Sequence, residues 1–574
     1  MKKIYTILSL IVAAIVASSC LDLDPKAQLS DAQVWSKASN FTLFTNQFYG
    51  WTRDFKGSPE YVTSIWDGSH SDERSDLVCS ANLNVYSAGT NSIPSTDANY
   101  STLYKRIYYT NLLLKNAKDY EPQKDIATPM GEAYFFRAYL YFELVQLFGD
   151  VIWTDVPLDL DSENLYGERT GRLEVIKHCV EDLQNAAELL PETPSEDGRV
   201  GKGAAYAFLS RVALYEGTWQ KFHNNAATEA ASLLATAAKA AKDCMELEQY
   251  SLFYSAALGG RDSYRYMFTL ENVDCNPAKL TKGDNKEYIL ARRHDEATKP
   301  IGSNITHAAD GNAELTPTRK LANMYRCQDG LPIAKSPLFK GYATQNSEFE
   351  GRDNRMNACL RMHDQKYWNN DGKWRTTWTD ADLDDALVCN RRSNSGYINY
   401  KWATERKVDD NNEGYDYPVI RYAEVLLNYA EAMYEKDGSI SDADLDISLN
   451  VVRARSNPEM TKLSNSLVSA NGLDMREEIR AERTVELFLE GFRLDDLKRW
   501  KTAETEMPQD QLGLLMTGTW FATNWSNQTR PLNSDGCIIM YSDRVWAQKN
   551  YLYPIPSDEL QLNEKLGQNP GWNQ

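Results

Sequence analysis

The sequence predicts a mostly α-helical protein, in which a scaffold of paired, tetratricopeptide-like helices carries large ordered loop regions. Several segments repeat apolar residues with the helical period, and many of them fall in pairs separated by short turns. Long stretches between them are rich in Gly, Asn, Asp, Ser, Trp and Tyr and have no sustained period. The chain of 574 residues is 42% hydrophobic and 25% charged, which is typical of a globular protein and excludes wholesale disorder.

The helical period is clearest in six segments. Gly149 and Pro191 follow two of them and are typical stop residues. The irregular stretches cover residues 57–101 and 250–415, and their aromatic content argues against disorder. Because ordered loops on a rigid scaffold commonly carry binding residues, we expect the ligand site there. The predicted helices are 132–148, 173–190, 203–215, 226–245, 419–434 and 479–500.

The N-terminus has the features of an export signal. Lys2 and Lys3 precede an apolar run over 4–17, which is too short to span a bilayer. Small residues then lead directly into Cys20, as in a bacterial lipobox, although Ala17 stands where a Leu is usual. We therefore expect residues 1–19 to be a lipoprotein signal peptide, Cys20 to be acylated, and 20–30 to form a tether. The alternative is an ordinary signal peptide that happens to contain a cysteine.

Charge and cysteine content narrow the class of protein. The chain has 81 acidic and 62 basic residues, a net charge of −19, so we expect no nucleic-acid partner. A mean hydropathy of −0.55 excludes a polytopic membrane protein. The eight cysteines after Cys20 are scattered and form no C-x-x-C pair, and their pairing stays open.

The charged and glycine-rich motifs are interpreted as structural. Acids at 482, 486 and 490 share a helix stripe with basic residues at 483 and 493, which favours an ion-pair network over general acid–base catalysis. Residues 198–203 lack the spacing of a phosphate-binding loop and are interpreted as a helix entry. H-E-x-x-H and G-x-S-x-G are absent. We therefore predict no enzyme, no catalytic residue and no metal ligand.

Three tryptophans stand close together among polar residues, at Trp368, Trp374 and Trp378. A sugar ring offers an apolar face, which suits a flat aromatic surface, and a ring of hydroxyls, which suits Asn, Asp and Arg side chains. We predict that this segment contacts a sugar ligand. The alternative is that the tryptophans pack beneath the loop and order it.

Five segments, in order behind the lipobox, make the chain similar to the SusD/RagB-type outer-membrane nutrient-binding lipoproteins. Each resembles a family motif, and together they extend along almost the whole chain. The segments are RAYLYFELVQLFGDV at 137–151, GAAYAFLSRVALY at 203–215, PVIRYAEVLLNYAEA at 418–432, IRAERTVELFLEGFRLDDLKRW at 479–500, and YLYPIP with QNPGW at 551–556 and 568–572.

The resemblance implies a fold with four tetratricopeptide-like helix pairs, tethered to the outer face of the outer membrane. It implies a SusC-like TonB-dependent transporter as partner and an oligosaccharide as ligand, with peptide capture as the alternative within the family. It also divides the chain into an N-terminal helical region at 31–250 with a ligand-loop insert at 57–101, a variable ligand-binding region at 251–415, and a C-terminal helical region at 416–574.

The resemblance adds further candidate ligand contacts in two variable regions. In the insert they are Trp66, Asp72, Arg74 and Tyr86, and in the segment 288–304 the main candidate is Arg292, beside Arg293 and His294. For the insert, the alternative is hydrogen bonding that stabilises the loop.

We expect no cofactor. A structural calcium ion at the acids 409, 410, 413 and 416 is left open, with a solvated loop as the favoured interpretation.

Two other classes of protein are less favoured. A glycoside hydrolase would need two opposed carboxylates in a cleft, and no such pair stands out. A helical-repeat interaction scaffold would bind a peptide on its concave face and would not need the tryptophan segment.

Overall fold

The computed structural model describes residues 34–55, 71–79, 83–303, 305, 315–362, 395–404, 406, 411–524 and 531–572, and the backbone of 367–368 and 374–375. The fold is mostly helical, with a few short strands, as the sequence predicts. In chain order the helices are α1 Ala38–Thr45, α2 Val85–Ala88, α3 Ala98–Ala117, α4 Ala127–Phe148, α5 Arg172–Leu189, α6 Lys202–Trp219, α7 Ala227–Glu246, α8 Gly259–Met267, α9 Arg319–Met324, α10 Asn354–Cys359, α11 Tyr422–Asp437, α12 Asp442–Asp446, α13 Leu449–Ser456, α14 Asn465–Asn471, α15 Met475–Glu486, α16 Arg493–Arg499, α17 Ala503–Glu506, α18 Trp520–Asn524 and α19 Ser557–Leu562.

The strands form separate antiparallel pairs. β1 pairs with β3, β2 with β6, β4 with β5, and β7 with β8. The β2–β6 pair joins the middle of the chain to its C-terminal part, with Tyr288 opposite Arg421 and Arg292 opposite Tyr417. The strands are β1 Val78–Cys79, β2 Tyr288–Arg292, β3 Thr316–Pro317, β4 Tyr367–Trp368, β5 Trp374–Arg375, β6 Tyr417–Arg421, β7 Gln511–Leu515 and β8 Cys537–Tyr541.

The scaffold is a continuous stack of long helices. The helices α3, α4, α5, α6 and α7 pack in that order, each against its neighbour in the chain, and α11 then packs against α7. Helix α4 lies inside this stack and is buried around almost its whole circumference. A second apolar cluster, in which Leu426, Leu449 and Ile479 are buried, lies between α11, α13 and α15. No helix among the described residues is long and apolar enough to cross a membrane.

Four of the predicted helices are confirmed, although one of them ends later than expected. Helix α4 ends at Gly149, whose left-handed backbone (φ 74°) suits glycine. Helix α6 runs past its predicted end at Tyr215 to Trp219. Gly217 lies within it and allows close packing, because a Cβ there would lie 3.0 Å from Leu234 Cγ on α7.

The other two predicted helices are partly wrong. The start of 419–434 is strand: Val419 and Ile420 belong to β6, where they pair with β2, and the helix begins at Tyr422. The segment 479–500 is two helices, α15 and α16. Between them Leu489 (φ 57°) and Gly491 (φ 80°) adopt left-handed conformations that an α-helix cannot continue through.

Helix α3 was not predicted, and its first residues overlap the predicted loop 57–101. Its buried apolar residues, among them Leu103, Ile107 and Leu113, alternate with many tyrosines and polar residues. The predicted loop region 250–415 contains short elements only, including α8, β2, α9 and α10 among its described residues.

Candidate ligand-binding site

A charged cleft of about 490 Å³ lies beside the β2 strand and contains the predicted contact Arg292. Its walls come from the 3-10 helix Asn46–Trp51, from the loop before α6, and from the chain that continues β2. We call it the Arg292 cleft. The side chains that the argument uses are Tyr49, Asp197, Arg199, Arg292, Arg293 and Lys299.

Arg292 lies at the end of β2 and is held from behind by Asp54. Its Nε donates to Asp54 Oδ2 at 3.0 Å, and its Nη1 donates to the Tyr49 carbonyl oxygen. The second oxygen of Asp54 lies 2.6 Å from Nε2 of the buried His294. The Asp54 carboxylate therefore fixes the side chains of both Arg292 and His294. The Arg292 side chain stays partly exposed to the cleft.

Arg199 enters the cleft from the glycine-rich segment 198–203. Its guanidinium makes a two-pronged ion pair with the buried Glu132, at 2.8 and 2.7 Å, and Tyr49 donates its hydroxyl hydrogen to the same carboxylate at 2.6 Å. Burial and the Glu132 charge raise the pKa of Tyr49 far above its usual range, so the phenol stays protonated. Gly201 is the residue before α6, which confirms the segment as a helix entry.

Arg293 separates the Arg292 cleft from a smaller adjoining pocket of about 200 Å³. Its Nε is 2.9 Å from Oδ2 of the buried Asp416, whose other oxygen accepts from Lys282 at 2.6 Å. Its Nη1 is 2.9 Å from Asp197, and 83% of the Asp197 side chain is exposed. The Nε of Arg293 therefore pairs with a buried carboxylate, Asp416, and its Nη1 pairs with an exposed carboxylate, Asp197.

Lys299 completes the set of cations. No described carboxylate lies within 4.0 Å of its Nζ, in contrast to the three arginines. Burial and the neighbouring Arg292 lower the pKa of Lys299, and Asp54 and Asp416 oppose that effect only in part. The ammonium thus lies where positive charge is not fully compensated.

The predicted aromatic segment is described at two short strands. β4 and β5 pair antiparallel, and the register sets position 368 opposite position 374. The residues on either side of 363–394 are held together by an antiparallel bridge between Leu360 and Asn399 and by a hydrogen bond from the Arg361 amide to the Ile398 carbonyl at 2.9 Å. Trp378 lies outside the described residues, as do Trp66 and Cys20.

Asp72 and Arg74 face the interior. Arg74 donates Nη1 to the Tyr553 hydroxyl at 3.0 Å. The Asp72 carboxylate lies under the α15–α16 turn, and burial raises its pKa to about 6. The backbone amides of Arg493 and Gly491 and the Arg74 charge favour the charged form and oppose this rise only in part. Arg74 thus ties the insert to the C-terminal region, Asp72 is buried beneath the turn, and we leave both out of the proposed ligand contacts.

Tyr86 is half-buried and stacks on Tyr553, with ring centroids 4.6 Å apart. It thus touches the same C-terminal tyrosine as Arg74.

Of the residues in the Arg292 cleft, the sequence singled out Arg292, with Arg293 beside it, and missed Tyr49, Arg199 and Lys299. The glycine-rich segment at 198–203 was the available signal for Arg199, but it indicated only a helix entry.

The carboxylates of the 480–496 motif are buried ion-pair partners. Glu486 contacts Arg355, Arg421 and Arg455, which hold its pKa well below its usual range although burial acts in the opposite direction. The predicted ion-pair network is confirmed. Two of its arginines, however, pair with acids outside the 482, 486 and 490 stripe. Arg483 pairs with Asp496 at 2.8 Å and Arg493 with Asp76 at 2.8 Å, so the pairs join different elements.

The acids considered for calcium are only partly described. Asp416 is committed to Lys282 and Arg293, Glu413 is buried, and residues 409 and 410 lie outside the described part of the chain. Within that part, no three His, Cys, Asp or Glu side chains are grouped as a metal site. The seven described cysteines after Cys20 are buried free thiols, so no disulfide pairs any two of them.

Two family models match the chain. The SusD family model matches residues 282–572, and a model described as starch-binding and associating with the outer membrane matches residues 21–214. Among characterised relatives, SusD-like protein P2 of Formosa agariphila is 26% identical over 456 residues, which cover 77% of this chain and 74% of the relative. SusD-like protein P25 of the same organism is 35% identical over 133 residues, which cover 22% of this chain and 24% of the relative.

Solved structures show the same fold. A SusD-like carbohydrate-binding protein of Bacteroides fragilis aligns with a TM-score of 0.74 and 24% identity, over 93% of this chain and all of that one. A second SusD-like protein of Bacteroides fragilis aligns with a TM-score of 0.70 and 23% identity, over 95% of this chain and all of that one. At this level of identity the likeness concerns the fold.

Proposed function

Because the chain belongs to the SusD/RagB family, we propose that it is a non-catalytic lipoprotein of the cell surface that captures glycan chains and passes them to a TonB-dependent transporter of the outer membrane. The match of the SusD family model to residues 282–572 carries the proposal, because that range contains the tryptophan segment, Arg292 and the C-terminal scaffold. The carbohydrate-binding relative from Bacteroides fragilis supports the class of ligand.

The aromatic platform for the sugar is assigned to the β4–β5 hairpin. Its register sets two tryptophan positions, 368 and 374, directly opposite each other, and Trp378 follows closely. The flat apolar surface of an aromatic side chain suits stacking against the apolar face of a pyranose ring. Each contact contributes about 1 kcal/mol beyond its buried area, so two or three predict binding in the micromolar to millimolar range. Tyr86 and Arg292 remain further proposed contacts.

Attachment and delivery rest on the N-terminus and on the family. Acylated Cys20 would hold the protein at the outer membrane, because several acyl chains on one cysteine give stable anchoring where a single chain does not. The name of the model that matches 21–214 supports association with that membrane. The transporter partner is inferred from the family resemblance alone.

Affinity electrophoresis of residues 21–574 through gels that contain a panel of polysaccharides tests the proposal. We expect one glycan to retard the protein, and the triple variant Trp368→Ala/Trp374→Ala/Trp378→Ala to lose the retardation while it keeps the native helical circular-dichroism spectrum. Tyr254→Ala, which removes another exposed aromatic, is the matched control and should be retarded normally. Retardation that survives in the triple variant would move the site to other residues.

Two further results would contradict the proposal. Release of shorter products from the retarding glycan would show catalysis. Failure of every glycan to retard the protein, together with binding of peptides, would favour the peptide-capturing alternative.

A further inference from the structure

The Arg292 cleft concentrates positive charge on a strongly acidic protein. Four cations line it, and the two acidic residues on its walls, Glu196 and Asp197, are both highly exposed. The carboxylates that neutralise Arg199 and Arg293 from behind, Glu132 and Asp416, are buried and face away from solvent. Of the four cations, Arg293 and Lys299 are the more exposed, so a ligand can reach both of them beside the exposed Glu196 and Asp197. Around a protein of net charge −19, such a patch selects anions locally.

Arg293 can exchange one partner without losing the other. Its side chain is 42% exposed, and its Nη1 is paired with an aspartate that is itself 83% exposed. An ion pair between exposed side chains contributes little to stability, so a ligand carboxylate can replace Asp197 at small cost. The buried Asp416 keeps Nε in place meanwhile. A guanidinium held on one side presents its remaining donors in a fixed plane, which suits carboxylate and sulfate oxygens.

Lys299 adds a cation that the protein leaves without an ion-pair partner among the described residues. Its lowered pKa has the cause expected there, since burial and Arg292 both disfavour the ammonium. An anion bound beside Lys299 would offset both effects. The volume of about 490 Å³ is also sufficient for a sugar residue that carries its charged group.

We propose that the Arg292 cleft binds the anionic group of an acidic glycan, a uronate carboxylate or a sulfate ester, through Arg293 and Lys299. This inference rests on the proposed function and names the class of glycan that is captured. The shared chemistry is a singly charged oxyanion on a sugar ring, and Arg292 and Arg199, fixed by Asp54 and Glu132, form the wall against which it lies.

Isothermal titration calorimetry with matched ligands tests the charge requirement. The probes are an oligogalacturonate and its fully methyl-esterified form, and a sulfated galactan oligosaccharide and its desulfated form. We expect at least one charged member to bind at least tenfold more tightly than its neutral counterpart, because hydrogen bonds to charged groups contribute more than neutral ones. The preference should shrink between 50 and 500 mM NaCl, because salt screens exposed charges. The arm that binds distinguishes carboxylate from sulfate.

Two variants test the location, each on a separate cation. Arg293→Gln and Lys299→Gln should each weaken binding of the charged ligand about tenfold and leave binding of the neutral counterpart unchanged. Lys242→Gln on α7 is the matched control. The Lys242 side chain is 41% exposed, close to the 42% of Arg293, and like Arg293 it has an exposed ion-pair partner. Lys299→Gln removes no described ion pair, so it should fold normally even if Arg293→Gln does not.

The outcomes separate this inference from the proposed function. Equal binding of charged and neutral glycans would overturn the inference and leave glycan capture intact. A charge preference that survives in both variants would overturn the assignment to this cleft. Absence of binding to every glycan, charged or neutral, would overturn the proposed function and this inference with it.

Discussion

At the scale of single residues, several buried side chains connect the insert 57–101 to the C-terminal region. Asp72 lies under the α15–α16 turn, Arg74 reaches Tyr553, and Asp76 pairs with Arg493. The residue types of this segment are also those of a ligand-binding loop, so the sequence could not distinguish the two roles. What decides between them is burial, and burial depends on residues more than 400 positions away along the chain.

Asp72→Asn is expected to stabilise the protein at neutral pH. Burial raises the folded-state pKa of Asp72 to about 6, from an ordinary value of 3.8. Between these values the folded state binds more protons than the unfolded state, so stability falls as pH rises through that window. Above pH 6 the ionised carboxylate costs about 3 kcal/mol, which the amide avoids.

Urea unfolding of the variant and the wild type at pH 7.5 and at pH 4.5 measures this effect. The gain in stability should be largest at pH 7.5 and much smaller at pH 4.5. Asp535→Asn, on an exposed loop, is the control and should shift the midpoint at neither pH. A gain that is equal at both pH values would show that the Asp72 charge is not its cause.

At the scale of elements, long amphipathic helices were predictable and junctions were not. Helices α5 and α7 bury one face and follow the expected 3.6-residue period, which sequence alone reveals. The sequence predicts the β6 strand as the first turn of a helix, because its partner strand β2 lies in a segment that shows no regular apolar period. The split between α15 and α16 depends on left-handed residues that pack over Asp72. Both errors arise because distant partners override local propensity.

Prediction of the site followed the same pattern. Arg292 was predicted and Lys299 lies in the same predicted segment 288–304, but Arg199 belongs to the cleft only because the loop before α6 meets the end of β2. No spacing along the chain could reveal that meeting. The aromatic segment was found because its three tryptophans are close in sequence.

Gly513→Ala is expected to disturb the junction between β7 and residue 395. A Cβ at Gly513 would lie 2.3 Å from the Ser395 carbonyl oxygen, which is backbone and cannot rotate away. The strand must then shift, and the 2.7 Å hydrogen bond from the Leu514 amide to Ser395 is lost. We expect a loss of about 1 to 3 kcal/mol, typical of overpacking.

Urea unfolding and hydrogen exchange at the Leu514 amide report the effect of Gly513→Ala. Gly283→Ala is the control, because the nearest atom to its Cβ would lie 3.6 Å away. Unchanged protection of the Leu514 amide would contradict the expected shift of β7.

At the scale of the whole molecule, the regions 31–250 and 416–574 share one core. Arg211 on α6 pairs with Glu424 on α11 at 2.6 Å, and Lys498 on α16 donates to the Gln146 carbonyl on α4 at 2.7 Å. One continuous apolar cluster includes buried residues from the start of the described chain, such as Phe41, to its end, such as Leu566. The regions predicted from the sequence are therefore not separate folding units.

Residues 31–250, produced alone, are expected not to form a stable native unit. Isolation would expose apolar surface that α11, α16 and the C-terminal segment cover, and would remove Glu424, the partner of Arg211, and Asp495, a partner of Arg53. Size-exclusion chromatography, dye binding to exposed apolar surface and a thermal circular-dichroism scan test this, with residues 21–574 as the control. A monomer with a cooperative melt would show that the region folds by itself.

The bridge between Leu360 and Asn399 has a consequence for how such proteins diversify. It holds together the two ends of the chain that flank residues 363–394, through contacts that are themselves outside that segment. The entropy of closing a loop grows only logarithmically, by about 0.6 kcal/mol for each doubling of its length. A segment of different length and composition can therefore be joined to these two fixed ends at a small cost in loop-closure entropy.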